Sequence, residues 1–97
     1  MIGLTLRPRA RLDLIEIWSY IADGSETNAD LFIDKLYHSM TMLRQQPRAG
    51  RQREDLGDGV RAFPVGHYIV FYQAQLTAIE IVRVLHAARN IDEIFEP

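Results

Sequence analysis

Ala78 to Arg89, AIEIVRVLHAAR, is the stretch that most narrows what this chain can fold into. Ile79, Ile81, Val82, Val84 and Leu85 are mostly β-branched, and they flank Glu80 and Arg83 in the alternation that a strand imposes. Apolar side chains fall on both faces, Ile79, Ile81 and Leu85 on one and Val82 and Val84 on the other. That is the pattern of a central strand covered by protein on both sides. Arg83 and His86 then lie on opposite faces, and Arg89 follows. An arginine, a histidine and a second arginine at the end of the strongest strand either anchor structure there or carry chemistry.

The chain before this strand is mostly helical. Ile2 to Leu6 alternates like a short half-buried strand, and Pro8 fits the first turn of a helix, where its missing N–H costs nothing. Ala10, Leu14, Ile17, Trp18 and Ile21 recur at helical spacing up to Ala22. Asp23 to Ser25 end this helix, and Thr27 with Asp30 makes a Ser/Thr-x-x-Asp/Glu start signal for the next. Ala29, Phe32, Ile33, Leu36, Met40 and Leu43 form the buried stripe of that second helix, which Pro47 stops. The short connection predicts an antiparallel helical hairpin. Leu12 falls almost opposite the buried stripe of the first helix and Ile15 on its flank, while Leu31 and Met42 lie on the reverse side of the second. They are either ordinary exposed apolar residues or part of a docking surface.

Gln45 to Gly59 lacks apolar periodicity and reads as a loop. Its arginines Arg48, Arg51 and Arg53, with Arg44 just before it, form either a solvated connection or a local anion-binding lip. The last third reads as a meander. Val60 to Val65 carries Arg61, Gly66 and His67 make a tight connection, Tyr68 to Ala74 is a clear strand, and Ala78 opens the third. Asn90 to Pro97 has Ile91, Ile94 and Phe95 at helical spacing. The order β-α-α-β-β-β with a short helical tail predicts a single α+β domain over residues 1–97, its hairpin on one face of an antiparallel-rich sheet and the other face open.

Composition removes several function classes. The 97 residues contain no cysteine, so disulfide scaffolds, thiolate metal sites and cysteine nucleophiles are excluded. No metalloprotease, P-loop, dinucleotide or serine-hydrolase motif occurs, and no cofactor or metal is expected. The amino terminus lacks the apolar run of a signal peptide and no stretch approaches a membrane span, which predicts a cytoplasmic protein without membrane partners. A net charge of −2 and a pI near 5.9 argue against sequence-specific nucleic-acid binding as the main role.

One constellation survives. Arg61, Arg83, His86 and Arg89, with Tyr68 or Tyr72 on the neighbouring strand, could converge at one end of the sheet. Such groups would suit metal-free RNA cleavage, with His86 as acid or base and arginine against the phosphorane. The same residues could equally pair with Glu80, Asp92 and Glu93 and tie the tail to the sheet.

Four segments then carry a resemblance: P-R-A-x-x-D-L-x-E-I-W-x-Y-I-A from Pro8, L-R-x-x-P-R-A-G-R from Leu43, V-R-A-F-P-V-G-H-Y-I-V-F-Y from Val60, and I-E-I-V-R-V-L-H-A-A-R-N from Ile79. In this order they resemble the ParE family of type II toxins, within the RelE/ParE superfamily, from Leu4 to about Asn90. Asn90 stands where the family often has Asp. The resemblance implies a growth-inhibiting, plasmid-stabilising toxin that blocks DNA gyrase without catalysis and is neutralised by a ParD-like antitoxin. Arg61, Tyr72, Arg83, His86 and Arg89 become candidate target contacts, and Leu12, Ile15, Leu31 and Met42 candidate antitoxin contacts. The sister RelE branch cleaves ribosome-bound mRNA. Its members are typically strongly basic, whereas Lys35 is the sole lysine here. In that reading Arg61, Arg83 and His86 would be catalytic. A third reading is an interaction module or decayed toxin without lethal activity.

Overall fold

A computed structural model of the chain describes residues 2–95. Strand β1 (Gly3–Leu6) leads into helix α1 (Pro8–Ala22), helix α2 (Glu26–Gln45), the two-residue strand β2 (Arg51–Gln52), a 3-10 turn (Glu54–Leu56), the strands β3 (Val60–Val65), β4 (Tyr68–Ala74) and β5 (Ala78–His86), and a single helical turn, α3 (Ile91–Ile94). The strands form one sheet in the order β1-β5-β4-β3-β2. Strand β1 runs parallel to β5 and every other pairing is antiparallel. This is the expected α+β architecture, with the hairpin packed on one face of the sheet. The final two positions of the expected tail helix, Glu96 and Pro97, and Met1 lie outside the described residues.

The hairpin buries one stripe from each helix. Ala10, Leu14 and Ile17 of α1 meet Leu36, Met40 and Leu43 of α2 over Val65, Val70, Tyr72, Ile79, Ile81 and Val84 of the sheet. Removing each such aliphatic side chain from water stabilises the fold by about 1.5–3 kcal/mol. The cap of helix α2 lies two residues before Thr27. The Ser25 hydroxyl accepts the Asn28 N–H at 3.1 Å, so Ser25 is the cap.

Strict alternation along β5 does not hold. Phe71 pairs with Arg83 but the next residue, Tyr72, pairs with Ile81, so Val82 is an extra residue in β5. Such a bulge reverses the facing of everything after it. Val84 therefore joins Ile79 and Ile81 under the hairpin, while Leu85 turns to the opposite face with Val60, Ala62 and Phe71. That second face is not open. Leu56, Ile69, Ile91, Ile94 and Phe95 pack on it, with Phe95 edge-on to Phe71 at 4.9 Å.

The basic loop is also more ordered than its composition suggested. Arg51 and Gln52 pair with Ala62 and Arg61. Arg53 binds Asp55 at 2.9 Å and reaches Asp92 at 3.6 Å, linking the 3-10 turn to α3. The hydrogen bond from Arg53 holds the Asp55 carboxyl below its ordinary range. Arg44 donates to the Ile2 carbonyl at 2.8 Å. Two of the four arginines are thus engaged in structure, and Arg48 and Arg51 remain exposed.

Candidate functional site

Strand β1 ends where β5 continues. Arg7 N–H donates to the Ile81 carbonyl at 3.0 Å, and beyond that rung the edge of β5 has no strand beside it. Helix α1 supplies the missing partner. Asp13, 3% exposed, accepts the Val84 N–H at 3.0 Å and holds Arg83 in a two-pronged pair, Nε at 2.8 Å and Nη2 at 3.1 Å. Arg9, one helical turn away, stands 3.3 Å from the same carboxylate. A buried carboxylate is tolerated only with such a set of donors. The Nε and Nη2 of Arg83 thereby rivet α1 to β5.

Arg61 and Tyr72 face each other across β3 and β4 and serve a second anchor. Tyr72 is fully buried. Its hydroxyl donates to the Pro47 carbonyl at 2.7 Å and accepts the Gly50 N–H at 2.8 Å. Burial pushes the phenol's pKa up, against smaller lowering influences from the Gly50 N–H and the Arg61 charge. Arg61 donates to the Gly50 carbonyl at 2.8 Å. A Cβ at residue 50 would stand 2.6 Å from the Tyr72 ring, which is why the turn after α2 needs glycine there. The Tyr72 side chain is thus enclosed between the turn after α2 and the main core. Tyr72→Phe leaves a buried N–H and a carbonyl unpaired and is expected to lower stability by about 1–3 kcal/mol in urea unfolding.

His86 and Arg89 lie at the other end of the sheet. The His86 ring meets Tyr68 edge-on at 5.1 Å and stacks on His67 at 6.2 Å. Its Nδ1 accepts the Ala88 N–H at 3.1 Å, so the neutral ring carries its proton on Nε2. A cavity of about 370 Å³ is lined by Glu16, Tyr20, Tyr68, His86 and Arg89. Burial, and secondarily Tyr20, raises the Tyr68 pKa. Tyr68 pairs with both Val65 and His86, whereas Tyr72 pairs with Arg61. Four residue steps along β3 thus separate the Arg61 rung from the His86 rung, roughly 13 Å at about 3.3 Å per residue. Of the five expected contacts, Arg61, Tyr72 and Arg83 make the contacts within the fold described above, while half-buried His86 and exposed Arg89 line one corner.

The hairpin keeps its outward apolar residues. Leu12, Ile15 and Leu31 are 51%, 61% and 62% exposed, but Met42 is half-buried and packs against the main core. Ile15 lines a groove of about 390 Å³ between the helices with Arg11, Leu14, Trp18, Ile33 and Tyr37. Trp18 bridges the helices by donating to Asp30 Oδ1 at 2.8 Å. Trp18 and Tyr37 join this groove although helical spacing alone does not set them apart, and both are large, amphipathic and next to the stripe. Among the described residues no three His, Cys, Asp or Glu side chains are placed to hold a metal ion, and no helix is long and apolar enough to cross a membrane.

Comparison with known proteins agrees with this architecture. Residues 4–91 match the family described as ParE toxin of type II toxin-antitoxin system, parDE. Two curated relatives, both Toxin ParE1, come from Mycobacterium tuberculosis strains CDC 1551 / Oshkosh and ATCC 25618 / H37Rv. Each is 30% identical over 89 residues, spanning 90% of this chain and 91% of the relative. A solved structure described as the chromosomal ParDE TA system from P. aeruginosa superposes with a TM-score of 0.75 at 20% identity, covering 89% of this chain and 96% of that one, a likeness of fold.

Proposed function

Because this chain belongs to the family of ParE toxins of type II toxin-antitoxin systems, we propose that it inhibits DNA gyrase by binding, without catalysing a reaction, and that a cognate ParD-like antitoxin neutralises it. The observation that carries the non-catalytic reading is the division of the basic residues. Arg83 is held by Asp13 beside a different cleft and Arg61 by the Gly50 carbonyl, while His86 stands on a different rung of the sheet from Arg61. A ribonuclease of the RelE type would need arginine and an acid-base group around one phosphate. His86 and Arg89 instead form a partly exposed corner with Tyr20 and Tyr68, suited to a protein partner, and are the candidate target contacts. The antitoxin footprint is placed on the hairpin, with Ile15 at its centre and Leu12 and Leu31 beside it, because folding of a disordered segment onto these side chains would bury apolar surface that is otherwise wet.

Growth tests this reading. Induced expression without the antitoxin is expected to arrest growth, and co-expression of the antitoxin encoded beside it to restore it. Arg89→Ala should weaken the arrest while leaving the far-ultraviolet dichroism unchanged. Normal growth on induction would identify a non-toxic module instead. Ribosome-dependent mRNA cleavage that His86→Ala abolishes would assign the chain to the RelE-type reading.

A further inference from the structure

On the sheet face opposite the hairpin, Arg7, Arg9 and Arg83 line a cleft of about 380 Å³ whose apolar wall includes Val60, Val82 and Phe95. We propose that this cleft docks an extended peptide carrying a carboxylate beside an apolar side chain. The lining contains three guanidinium groups and no carboxylate, although the chain as a whole has a net charge of −2. The acids that hold these arginines stand outside the lining. Arg7 Nη2 is fixed by Gln73 and Glu80, each at 2.9 Å, Arg9 Nη1 by Asp13 at 3.3 Å and Glu16 at 3.4 Å, and Arg83 Nε and Nη2 by Asp13. The other guanidinium nitrogens, Nε and Nη1 of Arg7, Nε and Nη2 of Arg9 and Nη1 of Arg83, have no acceptor among the described residues. Arg7 and Arg9 are about half exposed, so an incoming oxyanion can reach them. Guanidinium groups held at one side and free at the other are pre-organised for a planar carboxylate.

Two features favour a peptide over a nucleic acid. Leu56 and Gly57, which line the cleft, belong to the acidic stretch from Glu54 to Asp58, and Glu80 already holds Arg7, a setting that would repel a run of phosphates but tolerate a single carboxylate. Its wall is mainly aliphatic, and the Phe95 ring is held against Phe71 and is not open on both sides as a base-stacking platform. The site is separate from the hairpin groove and does not depend on gyrase being the target.

Methyl and arginine side-chain NMR of the intact protein tests this directly. N-acetyl-Glu-Leu-amide is expected to shift the Val60 and Val82 methyls and the Arg7 and Arg9 Nε–H signals in a saturable way. The Gln-Leu analogue, inorganic phosphate and hexathymidylate should each bind at least tenfold more weakly. The double variant Arg7→Gln, Arg9→Gln should lose at least tenfold in affinity with its remaining methyl spectrum unchanged, and Arg9→Gln alone should show part of that loss if the double variant does not fold. Ile15→Asp should bind like the wild type. Equal binding of the Glu and Gln peptides, tighter binding of the oligonucleotide, or no shift at these four residues would overturn the proposal.

Discussion

Asp13→Ala is expected to destabilise the protein by about 3–5 kcal/mol, because it leaves the largely buried Arg83 guanidinium without its counter-charge. It also strips the Val84 N–H of its acceptor at the point where β1 has left the edge of β5. For a domain of this size the melting temperature should fall by roughly 12 °C or more. Replacing both partners separates the two contributions. Asp13→Ala with Arg83→Met removes the unpaired charge and should recover much of the loss, since a buried ion pair is often no more stabilising than apolar residues of similar volume. The unpaired Val84 N–H remains in the double variant, so recovery should stop short by about 1–3 kcal/mol. A double-mutant cycle by urea unfolding reads both quantities. If Asp13→Ala lowers stability by less than 1 kcal/mol, the rivet between α1 and β5 is not what holds the hairpin on the sheet.

Ile15→Asp is expected to weaken the proposed antitoxin complex by at least about 30-fold, equivalent to about 2 kcal/mol, as for a residue at the centre of an interface. Ile15 lines the groove between the helices and is 61% exposed, so the free protein should change in stability by no more than about 0.5 kcal/mol. The carboxylate would have to be desolvated against Leu14, Trp18 and Ile33 once the groove is covered. Affinity measured by calorimetry and relief of growth arrest should fall together. An unchanged affinity would move the antitoxin footprint off the hairpin.

Periodicity made the main elements legible because it reports which residues share a face. The helical hairpin, the three-stranded meander and the short helical turn at Ile91 all follow from spacing alone. Partners over long separations do not follow from spacing. Asp13 and Arg83 are 70 residues apart, and the only local hint was an acid lying among Ala10, Leu14 and Ile17 on the buried stripe of α1. The bulge at Val82 left no mark, since Val82, Val84 and Leu85 are equally apolar and their residue types do not say which face each takes. The setting of Tyr72 is illegible for a related reason. A tyrosine in a strand presents the same residue type whether its hydroxyl meets a partner protein or, as here, the backbone of a buried turn. Strand β2 is two residues long and too short to show alternation. The placement of the candidate residues was thus partly readable. His86 and Arg89 line one corner together, whereas Arg61, Tyr72 and Arg83 make long-range contacts within the fold that their residue types do not announce.

A supercoiling assay discriminates inhibition by binding from catalysis. Purified protein added to DNA gyrase and relaxed plasmid should suppress supercoiling in a dose-dependent way, and the antitoxin should abolish that effect. Ribosome-bound mRNA incubated with the same preparation should remain full length. Unimpaired supercoiling together with cleaved mRNA would contradict the account.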